Sequence, residues 1–266
     1  MHTLKLVLFI FTVGLFTSCN TKEKKIEPQE IEEVVTFSEE PMSLSKSENI
    51  LNEAIIAHGG DLYKSAHYSF VFRGNTYQFK NNDSNYEYTK TYKKGDSLII
   101  DVLKNGDFSR TYNNQPIALS DKSIASGTGS INSVIYFSTL PFKLNDKAVN
   151  SKLIENINIK GEDYAVIEVT FNKDGGGEDH DDEYYYWVNT KTKKIDYLAY
   201  NYSVNDGGVR FRVAYNKRVV GGITFQDYTN YEANVGTPLK NLPVLFEADK
   251  LQELSKIKTE NVINLD

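Results

Sequence analysis

Residues 97–112 decide the fold, and they read SLIIDVLKNGDFSRTY. Residues 98–103 are apolar except for Asp101, and along 108–112 the large side chains Phe108, Arg110 and Tyr112 alternate with Ser109 and Thr111, as they do when successive residues point to opposite faces of a β-strand. Between the two runs stands Asn105-Gly106, a dipeptide that favours the tight turn of a β-hairpin. The stretch therefore predicts two antiparallel strands joined by a short turn.

The same alternation recurs on both sides of this hairpin. Upstream it covers residues 68–73 and the evenly spaced Tyr86, Tyr88 and Tyr92. Downstream, strands are predicted over 152–159, 164–171, 183–188, 195–204, 209–216, 223–232 and, as a last strand, 256–263. Short turns rich in Gly, Asn and Lys join most of these strands, so we expect sequence neighbours to pair antiparallel.

A helix is predicted before the first strand. Ser45 and Glu48 have the spacing of a capping box, and a helical stripe of apolar residues follows them. Gly59-Gly60 ends this helix, since glycine tolerates the left-handed conformation at a helix C-terminus. His58 is interpreted as structural, with a positive charge that suits the dipole at the helix end.

A second, short apolar helix is predicted over 130–140, where Pro141 ends it. Residues 244–254 fit a helix or a strand. The pattern lacks the strand–helix alternation of a parallel α/β fold, which argues against a (β/α)₈ barrel. We predict a mainly β (α+β) fold over residues 47–266, a single domain. Its core is a large curved antiparallel sheet or unclosed half-barrel of about ten strands with two or three short helices.

The N-terminus has the pattern of a lipoprotein signal. An apolar run from Leu6 to Phe16 is too short to cross the ~30 Å hydrocarbon core as a helix, and it is followed closely by Cys19, the single Cys of the chain. We predict that residues 1–18 are a removed signal peptide and that Cys19 is lipidated; an ordinary signal peptide with an incidental Cys is the alternative. Residues 19–46 are predicted to form a flexible, polar tether.

The predicted anchor places the chain in the cell envelope. Acyl chains such as palmitate on Cys19 would hold it at a membrane, because several chains together give a stable anchor. Asn20, rather than Asp, follows Cys19, which does not indicate retention in an inner membrane. We therefore expect a protein of the outer membrane that faces the periplasm, while the leaflet stays open.

Charge and composition exclude several classes of partner. The chain has 30 Lys and Arg against 36 Asp and Glu, a net charge of −6. This balance argues against nucleic acid and against electrostatic docking to anionic lipid. A single Cys excludes a disulfide scaffold and Cys-cluster metal sites. With 18 Tyr and 14 Phe, the chain is rich in the residues that fit a pleated sheet.

Six motifs together resemble a family of Gram-negative bacterial lipoproteins without an assigned function. They are Ala57-His58-Gly59-Gly60, Phe70-Val71-Phe72-Arg73-Gly74, Leu140-Pro141-Phe142-Lys143-Leu144, Tyr184-Tyr185-Tyr186-Trp187-Val188, Asp196-Tyr197-Leu198-Ala199-Tyr200 and Gly207-Gly208-Val209-Arg210-Phe211-Arg212. The resemblance implies a fold similar to the periplasmic lipoprotein carriers, LolA-like half-barrels lidded by helices that hold acyl chains. Some relatives carry an aldolase label, which the strand pattern does not support.

An apolar or amphipathic ligand is predicted on the concave, aromatic face of the sheet. The residues assigned to this site are Tyr68, Phe70, Phe72, Ile131, Val134, Ile135, Phe137, Phe211, Arg210 and Arg212. Arg210 and Arg212 share one strand face, opposite Phe211. Turned inward, the two arginines would hold a carboxylate or phosphate headgroup. Turned outward, they would be solvated or pair with acids on neighbouring strands. The outward orientation is favoured, because charges are seldom buried without partners.

Residues 174–183 read DGGGEDHDDE and are the most acidic stretch of the chain. Carboxylates suit Ca²⁺, and a His among them suits Zn²⁺. The ligands of such a metal would be Asp179, His180, Asp181 and Asp182. The spacing differs from that of an EF-hand loop, and a solvated connector between two strands is the favoured interpretation. No cofactor is predicted.

Three functions fit these observations. The leading one is a non-catalytic, membrane-anchored module that binds a lipid-like ligand, and the second is an envelope interaction module whose core is filled by its own helix. The third is a metal-dependent enzyme that uses residues 174–183. The sequence contains no nucleophile elbow, phosphate loop or dinucleotide fingerprint, so a non-enzymatic function is favoured. The oligomeric state stays open.

Overall fold

Antiparallel pairing organises the structure, a computed structural model that describes residues 44–173, 182–203 and 206–266. Six strands form the first half: β1 His67–Phe72, β2 Asn75–Asn82, β3 Asn85–Lys94, β4 Ser97–Lys104, β5 Asp107–Tyr112 and β6 Gln115–Pro116. Eight form the second: β7 Val149–Ile159, β8 Glu162–Phe171, β9 Tyr184–Asn189, β10 Ile195–Tyr202, β11 Gly208–Val220, β12 Ile223–Ala233, β13 Gln252–Ile257 and β14 Glu260–Asn264.

The strands form two seven-stranded sheets. The first has the order β14-β1-β2-β3-β4-β5-β6, and the second has the order β13-β12-β11-β10-β9-β8-β7. All pairs are antiparallel, and most join strands that are neighbours in sequence. The exception is β14, which pairs with β1 so that Tyr68 lies opposite Asn264. Among the described residues, the last strand therefore adds to the sheet that the first strand begins.

Helix α1, Lys46–His58, begins and ends as the sequence predicts. The Ser45 side chain accepts a hydrogen bond from the Glu48 backbone, and the Glu48 carboxylate accepts one from the Ser45 backbone. Gly59 caps the other end with a φ of 147°. His58 differs from the prediction, because it is completely buried and its Nε2 accepts a hydrogen bond from the Ile195 amide. Burial and the nearby charge of Lys194 lower the pKa of His58 to about 3, so the residue is neutral.

Two more helices cover the sheets. Helix α2, Asp121–Ser138, is longer than the helix predicted over 130–140, since it begins at the cap Ser120. Its first half is rich in Ser and Gly, which are weak helix formers, and packing holds it in place. Gly127 lies so close to the ring of Phe108 that a Cβ there would come within 2.2 Å of it. Helix α3, Leu242–Glu247, occupies the start of the stretch that fitted helix or strand.

Three apolar clusters hold the elements together. In the first, α1 and the end of α2 pack on β8, β9 and β10; in the second, α2 packs on β1 to β4. We call these covered faces of the two sheets the inner faces. The third cluster lies on the opposite, outer face of the second sheet, where α3 covers Trp187 and Phe211. Strand β9 is buried on both faces as a result.

The predicted mainly β, antiparallel and unclosed architecture is confirmed. The prediction of about ten strands was too low, since the described residues contain fourteen. Strand β2 was missed because polar residues surround its two buried rings, Tyr77 and Phe79. The single last strand predicted over 256–263 is divided between β13 and β14, which belong to different sheets.

Candidate functional site

Helix α2 divides the space over the inner faces into two cavities. One stripe of the helix, Gly127, Ile131 and Ile135, is buried against the first sheet. The residues on the two flanks of this stripe line separate cavities, and Ser133 and Phe137 line both of them. Helix α2 therefore separates the two cavities and does not fill the whole space over the inner faces.

The first cavity, which we call the aromatic cavity, has a volume of about 400 Å³. Its rings are those of Tyr88, Tyr136, Phe137, Phe171 and Tyr184. Phe171 lies edge-on to Tyr184, with ring centroids 5.5 Å apart. Apolar walls of this kind accept hydrocarbon without a loss of hydrogen bonds.

Two charged groups belong to the lining of the aromatic cavity, Lys143 and Asp146. The ammonium group of Lys143 lies 3.5 Å from the Asp146 carboxylate and 5.4 Å from the centroid of the Phe142 ring. Both members of this ion pair are partly exposed. The pair adds no net charge to a cavity that is otherwise mostly apolar.

The second cavity, which we call the cationic cavity, has a volume of about 440 Å³ on the other flank of α2. Its lining residues include the three cations Arg73, Lys90 and Arg212. None of its lining residues in the described part of the chain is an Asp or a Glu. The two cavities thus differ in character, since one is mainly apolar and the other carries positive charge.

Arg212 is the innermost of the three cations. Only 8 % of its surface is exposed. Its guanidinium carbon lies 4.0 Å from the centroid of the Phe137 ring and 5.1 Å from that of Tyr200. One Nη donates to the Tyr200 hydroxyl at 2.8 Å. The Nε is buried and has no hydrogen-bond partner among the described residues.

Lys90 and Arg73 lie farther out. Lys90 is half-buried on β3, where its ammonium group lies 4.9 Å from the Tyr92 ring centroid and 3.4 Å from the Ser130 hydroxyl of α2. Arg73 is exposed in the turn after β1, and its guanidinium lies 5.2 Å from the Phe72 ring centroid. The three charges therefore run from the surface to the interior.

Tyr228 adds a neutral donor to the same cavity. Its hydroxyl accepts a hydrogen bond from the Gln226 amide at 2.6 Å, which leaves its own proton for another acceptor. Burial raises the pKa of Tyr228 to about 12, against the lowering effect of the Gln226 hydrogen bond and the Arg212 charge. The hydroxyl stays protonated at any physiological pH.

Of the ten residues assigned to the ligand site, five line at least one of the two cavities. Phe72, Val134, Phe137 and Arg212 line the cationic cavity, and Ile135 and Phe137 line the aromatic cavity. Three others, Tyr68, Phe70 and Ile131, are buried in the contact between α2 and the first sheet. They support the helix that separates the cavities, and they line neither cavity.

Phe211 does not belong to this group. It is buried in the outer cluster beside Trp187 and Phe246. Successive residues of a strand point to opposite faces, so Phe211 and Arg212 cannot line one cavity on the same side of the sheet. The assignment of both residues to a single site was wrong.

Arg210 and Arg212 share the inner face of β11, and only Arg210 pairs with an acid on a neighbouring strand as the favoured interpretation expects. Arg210 is partly exposed, lies opposite Glu232 on β12 and pairs with that carboxylate at 3.7 Å. For Arg212 the outward orientation was wrong, because this side chain is buried between rings on the inner face. The stacking on Phe137 and Tyr200 offsets part of the cost of burial.

Lys90 and Tyr228 were missed from the sequence. Lys90 has the same strand parity as Tyr86, Tyr88 and Tyr92, which predicts an inward-facing cation in a row of tyrosines. Tyr228 carries no comparable signal, because β12 is buried along most of its length on both faces.

Several predicted sites lie outside the described residues: the lipidation site Cys19 and the metal ligands Asp179, His180 and Asp181. The fourth predicted metal ligand, Asp182, lies within the described residues, two residues before β9. Within the described ranges, no group of three or more His, Cys, Asp and Glu side chains is arranged to hold a metal ion. Among the helices of those ranges, none combines the length and the apolar character needed to cross a membrane.

Comparison with known proteins assigns the chain to a family. Residues 4–259 match the family described as "Family of unknown function (DUF6503)", and the chain belongs to that family. No curated protein matches the sequence. The family without an assigned function that the motifs predicted is therefore confirmed.

Among solved structures, the fold is similar to that of a LolA superfamily protein from Nitrosomonas europaea. That comparison has 14 % identity and a TM-score of 0.49, and it covers 84 % of this chain and 95 % of the other. The fold is also similar to that of a DUF1329 family protein from Desulfovibrio piger, with 13 % identity, a TM-score of 0.41 and coverage of 84 % and 94 %.

Proposed function

We propose that this protein is a membrane-anchored, non-catalytic module of the cell envelope that binds an apolar or amphipathic, lipid-like ligand. The ligand lies in the cavities beside α2, under the inner faces of the sheets. The observation that carries this proposal is the open space beside a well-packed helix. A core filled by its own helix, as an interaction module would have, leaves no such space.

The dimensions and lining of the aromatic cavity support a small hydrocarbon ligand. Its volume of about 400 Å³ falls within the range of roughly 300–1,000 Å³ that is usual for small-molecule sites. Its rings come from α2, β3, β8 and β9, so both sheets and the helix contribute. A ligand there would contact every layer of the domain at once.

Helix α2 is the element whose displacement would enlarge the site. It stands between the two cavities, so moving it away from the first sheet would join them into one longer groove. Its first half contains Gly127 and Gly129, and glycine lowers helix propensity, so contacts with the first sheet rather than intrinsic propensity hold this half in place. We propose that α2 acts as a lid over the groove.

The anchor is the second part of the proposal. The apolar run that ends shortly before Cys19 and the polar stretch that follows it support lipidation of Cys19 and attachment of the domain to the outer membrane, facing the periplasm. A tether of the length of residues 19–46 would let the domain reach ligands in the membrane or in the periplasm.

Titration with a fluorescent fatty acid, such as an anthroyloxy-labelled stearate, tests the binding function. We expect saturable fluorescence enhancement with a dissociation constant in the micromolar range or below. Flat fluorescence at high protein concentration would reject the proposal in favour of an interaction module whose ligand is another protein.

A matched pair of variants on α2 locates the site. Ser133 is exposed and lines both cavities, whereas Ser126 is exposed on the same helix and lines neither of them. Ser133→Phe should fill the site and abolish probe uptake, and Ser126→Phe should leave uptake unchanged. Equal melting temperatures of the two variants would show that the difference arises from occupancy of the cavities.

A further inference from the structure

Arg212 differs from the other partly or fully buried arginines of the described chain in its lack of an acidic partner. Arg110 forms a two-pronged ion pair with Asp101, Arg218 lies 3.1 Å from Asp227, and Arg210 lies 3.7 Å from Glu232. These three remain partly exposed, whereas Arg212 is buried. Among the described residues, no carboxylate forms an ion pair with it.

Burying a guanidinium without a neighbouring anion lowers the stability of the folded protein. A buried charge loses its hydration, and proteins normally compensate with an opposite charge and with hydrogen bonds to every donor. A guanidinium has five N–H donors, and only one of those of Arg212 is accepted by a described side chain, that of Tyr200. The stacked rings of Phe137 and Tyr200 compensate in part, but they accept no hydrogen bond in the plane of the guanidinium.

The surroundings add positive charge and neutral donors instead of an acid. Lys90 and Arg73 line the same cavity, together with the hydroxyl groups of Tyr228 and Ser133. The chain as a whole has a net charge of −6, so this cavity departs from the average of the molecule. Three cations around one cavity create a field that favours an anion inside it.

We propose that the cationic cavity binds the oxyanion head of an amphiphile, a carboxylate or a phosphate, with Arg212 as its principal ligand. The inference rests on the proposed function, because it names the class of lipid that the module takes. The guanidinium fork matches both kinds of oxyanion in a two-pronged geometry. The Tyr228 hydroxyl and Lys90 lie in the same lining to complete the contacts.

The position of the head also fixes the direction of the tail. Phe137 stacks on Arg212 and lines both cavities. A hydrocarbon tail that starts at the head therefore passes this ring and enters the aromatic cavity between Tyr136 and Tyr184. Head and tail of one ligand would then occupy the two sides of α2.

Calorimetric titration of the full chain with laurate and with 1-dodecanol tests the head site, since the two ligands share a tail and differ in charge. We expect wild-type protein to bind laurate at least tenfold more tightly than dodecanol. Arg212→Gln should weaken laurate binding about tenfold or more and change dodecanol binding less than threefold. Arg210→Gln is the control, because Arg210 lies on the same strand with an acid partner.

The outcomes separate this inference from the proposed function. Equal affinity of the wild type for laurate and dodecanol overturns the head site while the binding module stands, and this comparison holds even if Arg212→Gln fails to fold. Binding of neither ligand rejects the binding module itself. If dodecyl phosphate competes for the site as strongly as laurate does, the site accepts both carboxylate and phosphate heads, as proposed. Binding of inorganic phosphate alone, without any amphiphile, overturns the assignment to a lipid.

Discussion

The hydroxyl groups of Tyr136 and Tyr186 lie 2.8 Å apart and join the last turns of α2 to β9. Both side chains lie in the apolar cluster between α1, α2 and the second sheet. Burial raises the pKa of both hydroxyls above their usual value, so the pair is a neutral hydrogen bond. This hydrogen bond holds the C-terminal end of α2, the helix that we propose as a lid, against the second sheet.

Removing one hydroxyl of this pair should cost more than removing both. Tyr136→Phe leaves the Tyr186 hydroxyl buried without its partner, and we expect a loss of about 1–3 kcal/mol in the free energy of unfolding. The double variant with Tyr186→Phe should recover most of that loss. Urea unfolding of the four proteins measures the coupling, and strictly additive losses would show that the two hydroxyls do not interact.

Gly127→Ala should destabilise the protein although alanine is the better helix former. The added Cβ would meet the Phe108 ring at 2.2 Å, so helix or ring must shift, at a cost of about 1–3 kcal/mol. Ser126→Ala, at the exposed neighbouring position, gains helix propensity without a clash and should be neutral or slightly stabilising. Thermal melting compares the two, and a stabilised Gly127→Ala protein would contradict the close packing of α2 on β5.

Acid should destabilise the protein through His58. Its pKa is about 3 in the folded chain and about 6.5 in an unfolded chain. Above pH 6.5 the residue is neutral in both states. As the pH falls from 6.5 towards 3, only the unfolded chain takes up the proton, so stability decreases by up to about 1.4 kcal/mol per pH unit.

His58→Gln provides the comparison for this pH dependence. The Gln carbonyl can accept the hydrogen bond from the Ile195 amide, but it does not titrate in this range. The free energy of unfolding, measured at several pH values between 7.5 and 4, should therefore fall less steeply in the variant than in the wild type. Parallel curves would mean that His58 is not buried in its neutral form.

Cys19→Ala tests the anchor. If acyl chains on Cys19 hold the protein at the membrane, the variant should move from the membrane pellet to the soluble fraction after cell lysis. The folded domain should be unaffected, with the same melting temperature as the wild type in detergent. Retention of the variant in the pellet would refute the lipidation of Cys19 as the means of attachment.

Residues 174–181 should be dispensable for folding. Strands β8 and β9 already pair with Val169 opposite Tyr184, so Asn-Gly in place of this segment would close a shorter connection. Asp182 and Glu183 are retained, because Asn201 donates to the Glu183 carboxylate at 3.0 Å. We expect an unchanged melting temperature and no response of the native protein to Ca²⁺ or Zn²⁺. A rise of many degrees with either ion would establish a metal site.

Local chemistry made much of the fold predictable. The capping box at Ser45 and Glu48 acts within one turn, and so does the Asn105-Gly106 turn, where both residues have positive φ. Strand parity likewise placed Arg210 and Arg212 on one face. The length of helix α2 was underestimated because its first half is supported by a contact with Phe108 on β5. A contact between two elements leaves no trace in the spacing of apolar residues along the helix.

The candidate site was less predictable, for a physical reason. Whether a helix fills a sheet or leaves space beside it depends on distances of a few ångströms between packed side chains, and no spacing in the sequence encodes those distances. Arg212 shows the same limit. The general rarity of buried unpaired charges favoured an exposed side chain, and only the rings of Phe137 and Tyr200 around it show that this position is an exception.

The pairing of β14 with β1 has a consequence for how the chain folds during its synthesis. Tyr68 and Asn264 stand near opposite ends of the described sequence, so the first sheet lacks this edge strand until residues 260–264 have been synthesised. Closing so long a loop is slow, because contacts between distant residues form late. Until that pairing forms, the open edge of β1 presents unpaired backbone N–H and C=O groups, to which a strand of another chain could pair.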